Sequence, residues 1–245
     1  MFDGLYSEFI KLKRIGYYTG ILALSLVSLP LFTFEEEVLS LNWYGYFFNF
    51  EFTAFTFVFT LVIPIIISLI FVREFKYKTA SIAFSYPNGR LGGLINKFIV
   101  STLIIAAIYV MAYLFVVISG VIFLKAPITW APLINHLKIF LTSFIFQVAL
   151  IPLIALVALI GKNMIVSFIY SILLLIGNLS YFLESSYSDF MFSRLPALPI
   201  LKLGVPIYLD PVNIEITKFE IYLGLCVFLI GLVGSIIFYK KADIY

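Results

Sequence analysis

The sequence predicts an all-α integral membrane protein of six transmembrane helices, and three observations predict it. Hydrophobic residues make up 63% of the 245-residue chain, whose mean hydropathy is +1.12. Charged residues make up only 12%, against roughly 25% in soluble domains, too few to clothe a water-soluble globule of this size. The apolar residues fall in long continuous runs, not in the segments of about ten alternating residues that a membrane barrel needs. In lipid, helices are then the remaining way to satisfy the backbone. The same composition excludes a soluble enzyme, a nucleic-acid-binding module and a disordered chain. The single cysteine, Cys226, excludes an intramolecular disulfide and a cysteine-rich metal site.

The elements follow in order. Phe2, Leu5, Tyr6, Phe9 and Leu12 recur at helical spacing beside Lys11, Lys13 and Arg14, which predicts an interfacial amphipathic helix over residues 1–14 on the inner leaflet. A span needs about 20 mostly apolar residues. Six stretches qualify: Ile15–Phe34, Phe52–Val72, Phe98–Leu124, Ile139–Ile160, Met164–Leu183 and Ile221–Tyr239. The first is too long for a signal-peptide core of about 7–15 residues and lacks a small-residue cleavage pattern, so it reads as a retained anchor. The third is long enough to tilt or project. Gly161, Lys162 and Asn163 alone separate the fourth and fifth, which predicts a tight helical hairpin. The whole chain reads as one membrane domain without an internal repeat.

Charge sets the orientation. Six spans put both termini on one side. That side carries eleven basic residues and four acidic ones, and the other carries five basic and nine acidic, a net of +7 against −4. Both termini are therefore expected in the cytoplasm. Two connections have substance. The cytoplasmic one, Arg73–Lys97, is charged, with a short amphipathic helix ended by the turn Pro87-Asn88-Gly89. The outer one, Glu184–Glu220, is largely apolar over Leu195–Leu209 but broken by Pro196, Pro199 and Pro206. A broken apolar segment between spans suggests a re-entrant piece packed on protein.

Motifs for chemistry are mostly absent. The only Gly-Lys pair, Gly161-Lys162, is followed by Asn163, so no P-loop occurs and ATP is not expected on this chain. His136 is the sole histidine and reads as a residue at the outer interface. Glu35, Glu36 and Glu37 read as a solvated outer loop. Charges look nearly missing from the spans, with Glu51 and Glu220 at outer ends, which argues against ion-coupled transport. Gln147 and Asn178 are candidates for hydrogen bonds between helices. Gly224, Gly231, Gly234 and Ser235 give the last span a small-residue face suited to close helix packing. The many Phe and Tyr read mainly as lipid-facing and interfacial mass.

The cytoplasmic connection resembles the coupling segment of type-2 ABC exporter permeases. That segment typically reads Glu, Gly-Thr, an apolar stretch, Pro with Arg soon after, and Lys before the next span. The matching positions are Glu74, Thr79, Pro87, Arg90 and Lys97, and Lys78 stands where glycine is usual. The layout resembles that family along the whole chain: amphipathic N-terminal helix, six spans, coupling helix after the second, broken outer segment before the sixth. In general look it is similar to small Gram-positive permeases for peptide export and immunity, of the bacitracin, lantibiotic and phenol-soluble modulin kinds. The resemblance implies a permease of the bacterial cell membrane that forms a path for a hydrophobic or amphipathic peptide. It implies partnership with a second permease, identical or related, and with separate ATPase subunits that hold ATP and magnesium. This chain itself would bind no cofactor and catalyse nothing. Glu74, Lys78, Thr79, Pro87, Arg90 and Lys97 would couple to the ATPase. A non-transporting membrane sensor and an intramembrane enzyme are the alternative classes.

Overall fold

A computed structural model describes residues 6–8, 10, 42–77, 89–124, 127–183, 190–202 and 216–241. The first predicted span, Glu35–Glu37, Lys78, Thr79, Pro87 and most of the amphipathic N-terminal segment lie outside the described residues.

Helix α1, Trp43–Thr53, starts at an Asn42 cap whose side-chain oxygen accepts from the Gly45 N–H at 2.9 Å. It continues through a π-helical turn, Ala54–Val58, into α2, Phe59–Lys76. The Thr60 hydroxyl donates to the Phe55 carbonyl inside this wider turn. Pro64 withholds an N–H from the ladder, and the Ser68 hydroxyl donates to its carbonyl. The apolar stretch from Trp43 to Phe75 runs 33 residues, about 50 Å, well beyond a hydrocarbon core of about 30 Å.

Helix α3 spans Gly89–Phe123 and α4 spans Trp130–Gly161. Lys162, at φ 46°, and Asn163 turn the chain at once into α5, Met164–Leu179. The Lys162 N–H donates to the Ala158 carbonyl, and the Asn163 side chain caps α5. This is the hairpin expected from the sequence. A 3₁₀ turn, Ser180–Leu183, extends α5. The connection that follows contributes a 3₁₀ turn, Phe192–Arg194, and a four-residue helix α6, Leu198–Leu201. Leu195, Ala197, Leu198, Ile200 and Leu201 are buried, and α6 packs against α1 and α4. Helix α7 spans Lys218–Lys241.

Four helices are long and apolar enough to cross a membrane, and α5 is a shorter apolar helix. Each long helix exceeds the hydropathy run that predicted it. The second begins at Trp43 rather than Phe52, the third at Gly89 rather than Phe98, and the fourth at Trp130 rather than Ile139. No strand occurs among the described residues.

Packing corrects the reading of the aromatics. Tyr46, Phe47, Phe50, Phe55, Phe59, Phe71, Tyr109, Phe140 and Tyr239 are buried in the core, not spread on a lipid face. Around Tyr109, the rings of Phe55, Phe59, Phe140 and Phe144 lie 5.0–6.3 Å away between centroids. Its hydroxyl meets the Ser143 hydroxyl at 3.0 Å, so the polar tip is satisfied as the ring is buried.

The tightest seam joins α7 to α4. A Cβ on Gly231 would stand 2.6 Å from the Pro152 carbonyl carbon, and one on Gly234 would stand 2.6 Å from the Leu156 side chain. The Ser235 hydroxyl donates to the Pro152 carbonyl at 3.2 Å. Gly224 lies beside Phe146 more loosely. The opposite face of α7 stays exposed at Tyr222, Cys226, Leu229, Val233 and Ile237.

Candidate functional site

Three polar constellations interrupt this apolar interior. The first lies at the ends of the connection between α2 and α3. Glu74 sits on the last turn of α2, and Lys97 sits two turns into α3. The Lys97 ammonium donates to the Glu74 carboxylate at 2.6 Å and to the Tyr239 hydroxyl at 3.0 Å. Tyr239 comes from the last full turn of α7, and its hydroxyl also reaches Glu74 at 3.4 Å. Lys97 is 1% exposed and Glu74 is 7% exposed. The ammonium also lies 5.9 Å from the Phe71 ring centroid and 5.7 Å from that of Tyr239. Glu8, also buried, adds its field to that of Glu74 on Lys97. A charge removed this far from water persists only with a close partner and further hydrogen bonds, and Lys97 has both.

Arg90 stands on the first turn of α3, partly exposed. Its Nη1 donates to the Lys240 carbonyl at 3.0 Å. Helix C-termini leave carbonyls unpaired and favour a nearby cation, so Arg90 serves as a side-chain cap for α7.

The structure therefore brings Glu74, Arg90 and Lys97 to one corner of the helix bundle, together with Tyr239, which the sequence did not single out. The sequence reads Lys97 as the last residue of the connection, leading into the third span. In the structure it is a buried residue of a helix.

The second constellation corrects His136 and Glu51. Both were expected near the outer surface, and both are buried, at 1% and 0% exposure. His136 Nδ1 lies 2.9 Å from each Glu51 carboxylate oxygen. The imidazole stacks on Phe47 at 4.5 Å and 10°, and Tyr44 stands 5.8 Å away. The pair bolts α1 to α4. The His136 Nε2 has no hydrogen-bond partner among the described residues. No group of three or more metal-ligating side chains occurs among the described residues. The expectation that the spans are nearly free of charge fails here and at Glu74–Lys97. The signal that could have found His136 is its phase: His136, Phe140, Ser143 and Gln147 share one buried face of α4.

In the third, Asn178 Nδ2 donates to the Thr56 carbonyl at 3.1 Å and to the Thr60 hydroxyl at 2.8 Å. This ties α5 to the π turn, as an interhelical role for Asn178 anticipates. Gln147 is buried on α4. Replacing Asn178 with Leu keeps the volume and removes both bonds. The expected loss is about 1 kcal/mol, the scale of polar contacts between membrane helices, read as a small fall in the melting temperature of the detergent-solubilised protein.

Among known families, the model for the ABC-2 family transporter protein matches residues 4–178. The match takes in all three constellations except Tyr239 and Lys240, and ends at Asn178. A search of curated proteins finds no match to the chain.

Proposed function

Since the chain belongs to the ABC-2 transporter family, and is a multi-pass transmembrane subunit of an ABC transporter, we propose that it couples to a separate ATPase through residues 73–97 and exports an amphipathic peptide. The observation that carries this reading is the Glu74–Lys97 ion pair. It closes the base of the connection between α2 and α3 with a contact of 2.6 Å, so a force on the intervening segment reaches both spans together. A loose basic loop would need no such clamp. Within the segment, Lys78, Thr79 and Pro87 would meet the ATPase groove, with Glu74, Arg90 and Lys97 as its footings.

ATP would act by favouring one membrane conformation over the other, since a ligand with equal affinity for both states shifts nothing. ATP and magnesium would reside on the ATPase. A second permease, identical or related, would complete the path, in a bacterial cell membrane with both termini in the cytoplasm. The described interior is largely aliphatic and aromatic, and the buried Lys97 ammonium within it is paired with Glu74. Such an interior suits apolar or amphipathic cargo better than free ions.

The test is purification from the native membrane in mild detergent, followed by mass spectrometry of co-eluting chains. A separate P-loop ATPase in stoichiometric amount is expected, and Thr79→Ala with Pro87→Ala should weaken its retention without changing membrane insertion. An intact preparation that carries no ATPase would overturn the reading in favour of a non-transporting sensor.

A further inference from the structure

The proposed coupling segment has an unexpected neighbour. Two donors from α3, seven residues apart and hence on one face of that helix, both reach the last turn of α7. Arg90 holds the Lys240 carbonyl at 3.0 Å, and Lys97 holds the Tyr239 hydroxyl at 3.0 Å. These residues are 150 and 142 positions apart in sequence. Resting on the proposed function, we infer that Tyr239 and the C-terminal turn of α7 receive the motion of the coupling segment, and that Tyr239 and Arg90 are positioning residues that convey it to the last span.

The geometry supplies each step. Lys97 is forked between Glu74 and Tyr239, so the end of α2 and the end of α7 share one ammonium. The Arg90 contact engages backbone rather than a side chain, so any displacement of the first turn of α3 acts directly on the axis of α7. Helix α7 is a continuous 24-residue rod, and an α-helix transmits axial displacement with little loss because each turn is hydrogen-bonded to the next. Along its length, Gly231 and Gly234 sit against Pro152, Leu153 and Leu156, and Ser235 bonds the Pro152 carbonyl. Such close packing has few intermediate arrangements, so a shift of α7 is passed to α4 or changes the seam between them.

The chain carries its own reporter. Cys226 is its single cysteine, lies on the exposed face of α7, and is 13 residues, about 20 Å, from Tyr239. A nitroxide attached there reads α7 without engineered cysteines in this subunit. The experiment uses the full-length permease with its co-purified ATPase, the latter freed of reactive cysteines, in lipid nanodiscs. The spectrum is recorded with and without ATP and vanadate. In the parent protein ATP should change the spectrum. Tyr239→Phe keeps the ring and the Glu74–Lys97 pair but removes the hydroxyl. Arg90→Ala removes the carbonyl contact, and Arg90→Lys retains a donor for it. The ATP-dependent change should fall about fivefold or more in the first two, the lower range of coupling between distinct sites, and return in Arg90→Lys. ATPase retention and hydrolysis should stay at parental levels in Tyr239→Phe, whose residue lies outside the proposed ATPase-coupling set.

Parental spectral responses in Tyr239→Phe and Arg90→Ala would overturn the inference. So would a parent whose ATPase binds and hydrolyses ATP while the label stays silent, or a Tyr239→Phe variant that simply sheds the ATPase. A parent that binds no ATPase at all would instead overturn the proposed function itself.

Discussion

Lys97→Met should lower the melting temperature of the detergent-solubilised permease by roughly 10 °C. Methionine fills much of the lysine volume, so the loss is electrostatic rather than a cavity. It takes from the Glu74 carboxylate, 7% exposed, the ammonium that meets it at 2.6 Å, while the Tyr239 hydroxyl stays at 3.4 Å. Removing one member of a buried pair costs about 3–5 kcal/mol, whereas replacing both members is often close to neutral. Each kcal/mol moves the melting point by about 2–4 °C at this chain length. Glu74→Gln in the Lys97→Met background should therefore recover much of the loss. A double variant as unstable as the sum of the two single variants would show that the residues do not act on each other. The comparison reads stability alone, so it is independent of cargo and of the ATPase.

What the sequence made legible is local. Continuous apolar runs marked the cores of the second to sixth predicted spans. Gly161-Lys162-Asn163 marked a hairpin because a turn is decided by its own few residues. The Gly/Ser pattern of the last span marked a close-packing face, though nothing in the sequence named Pro152 and Leu156 as what it meets. The starts of the second, third and fourth predicted spans were not legible. Hydropathy treats Glu51, Asn96, Lys97 and His136 as breaks, yet all four are buried. Their partners lie far along the chain: 85 positions separate Glu51 from His136, and 23 and 142 separate Lys97 from Glu74 and Tyr239. A polar residue inside a span looks like a span's end until its partner is known. The argument against buried charge failed for that reason. The candidate site was half legible. The motif led to Glu74, Arg90 and Lys97, but Tyr239 looked like one more interfacial tyrosine in a chain with sixteen.

Gly231→Ala should be the most disruptive single methyl that can be added to α7. The new Cβ would meet backbone atoms of Pro152 and Leu153, the Pro152 carbonyl carbon at 2.6 Å. Backbone in the middle of a 32-residue helix cannot yield as a side-chain tip can, so α7 must move away from α4. That movement would break the Ser235 bond to Pro152 and loosen the seam at Gly234. Overpacking of this kind costs about 1–3 kcal/mol, and more where no rotamer offers relief. Gly93→Ala is the matched control. It lies in helix α3, and nothing stands within 4 Å of the position its new methyl would take, so the gain in helix propensity of about 1 kcal/mol should make it neutral or stabilising. Thermal melting of both variants in the same detergent decides the matter. Equal effects at the two glycines would mean that α7 and α4 do not touch closely at Gly231. A loss confined to Gly231→Ala would show that small residues are required where the two helices touch. It would follow that α7, held to α4 along its length and to α3 at its end, has no freedom to move without moving its neighbours.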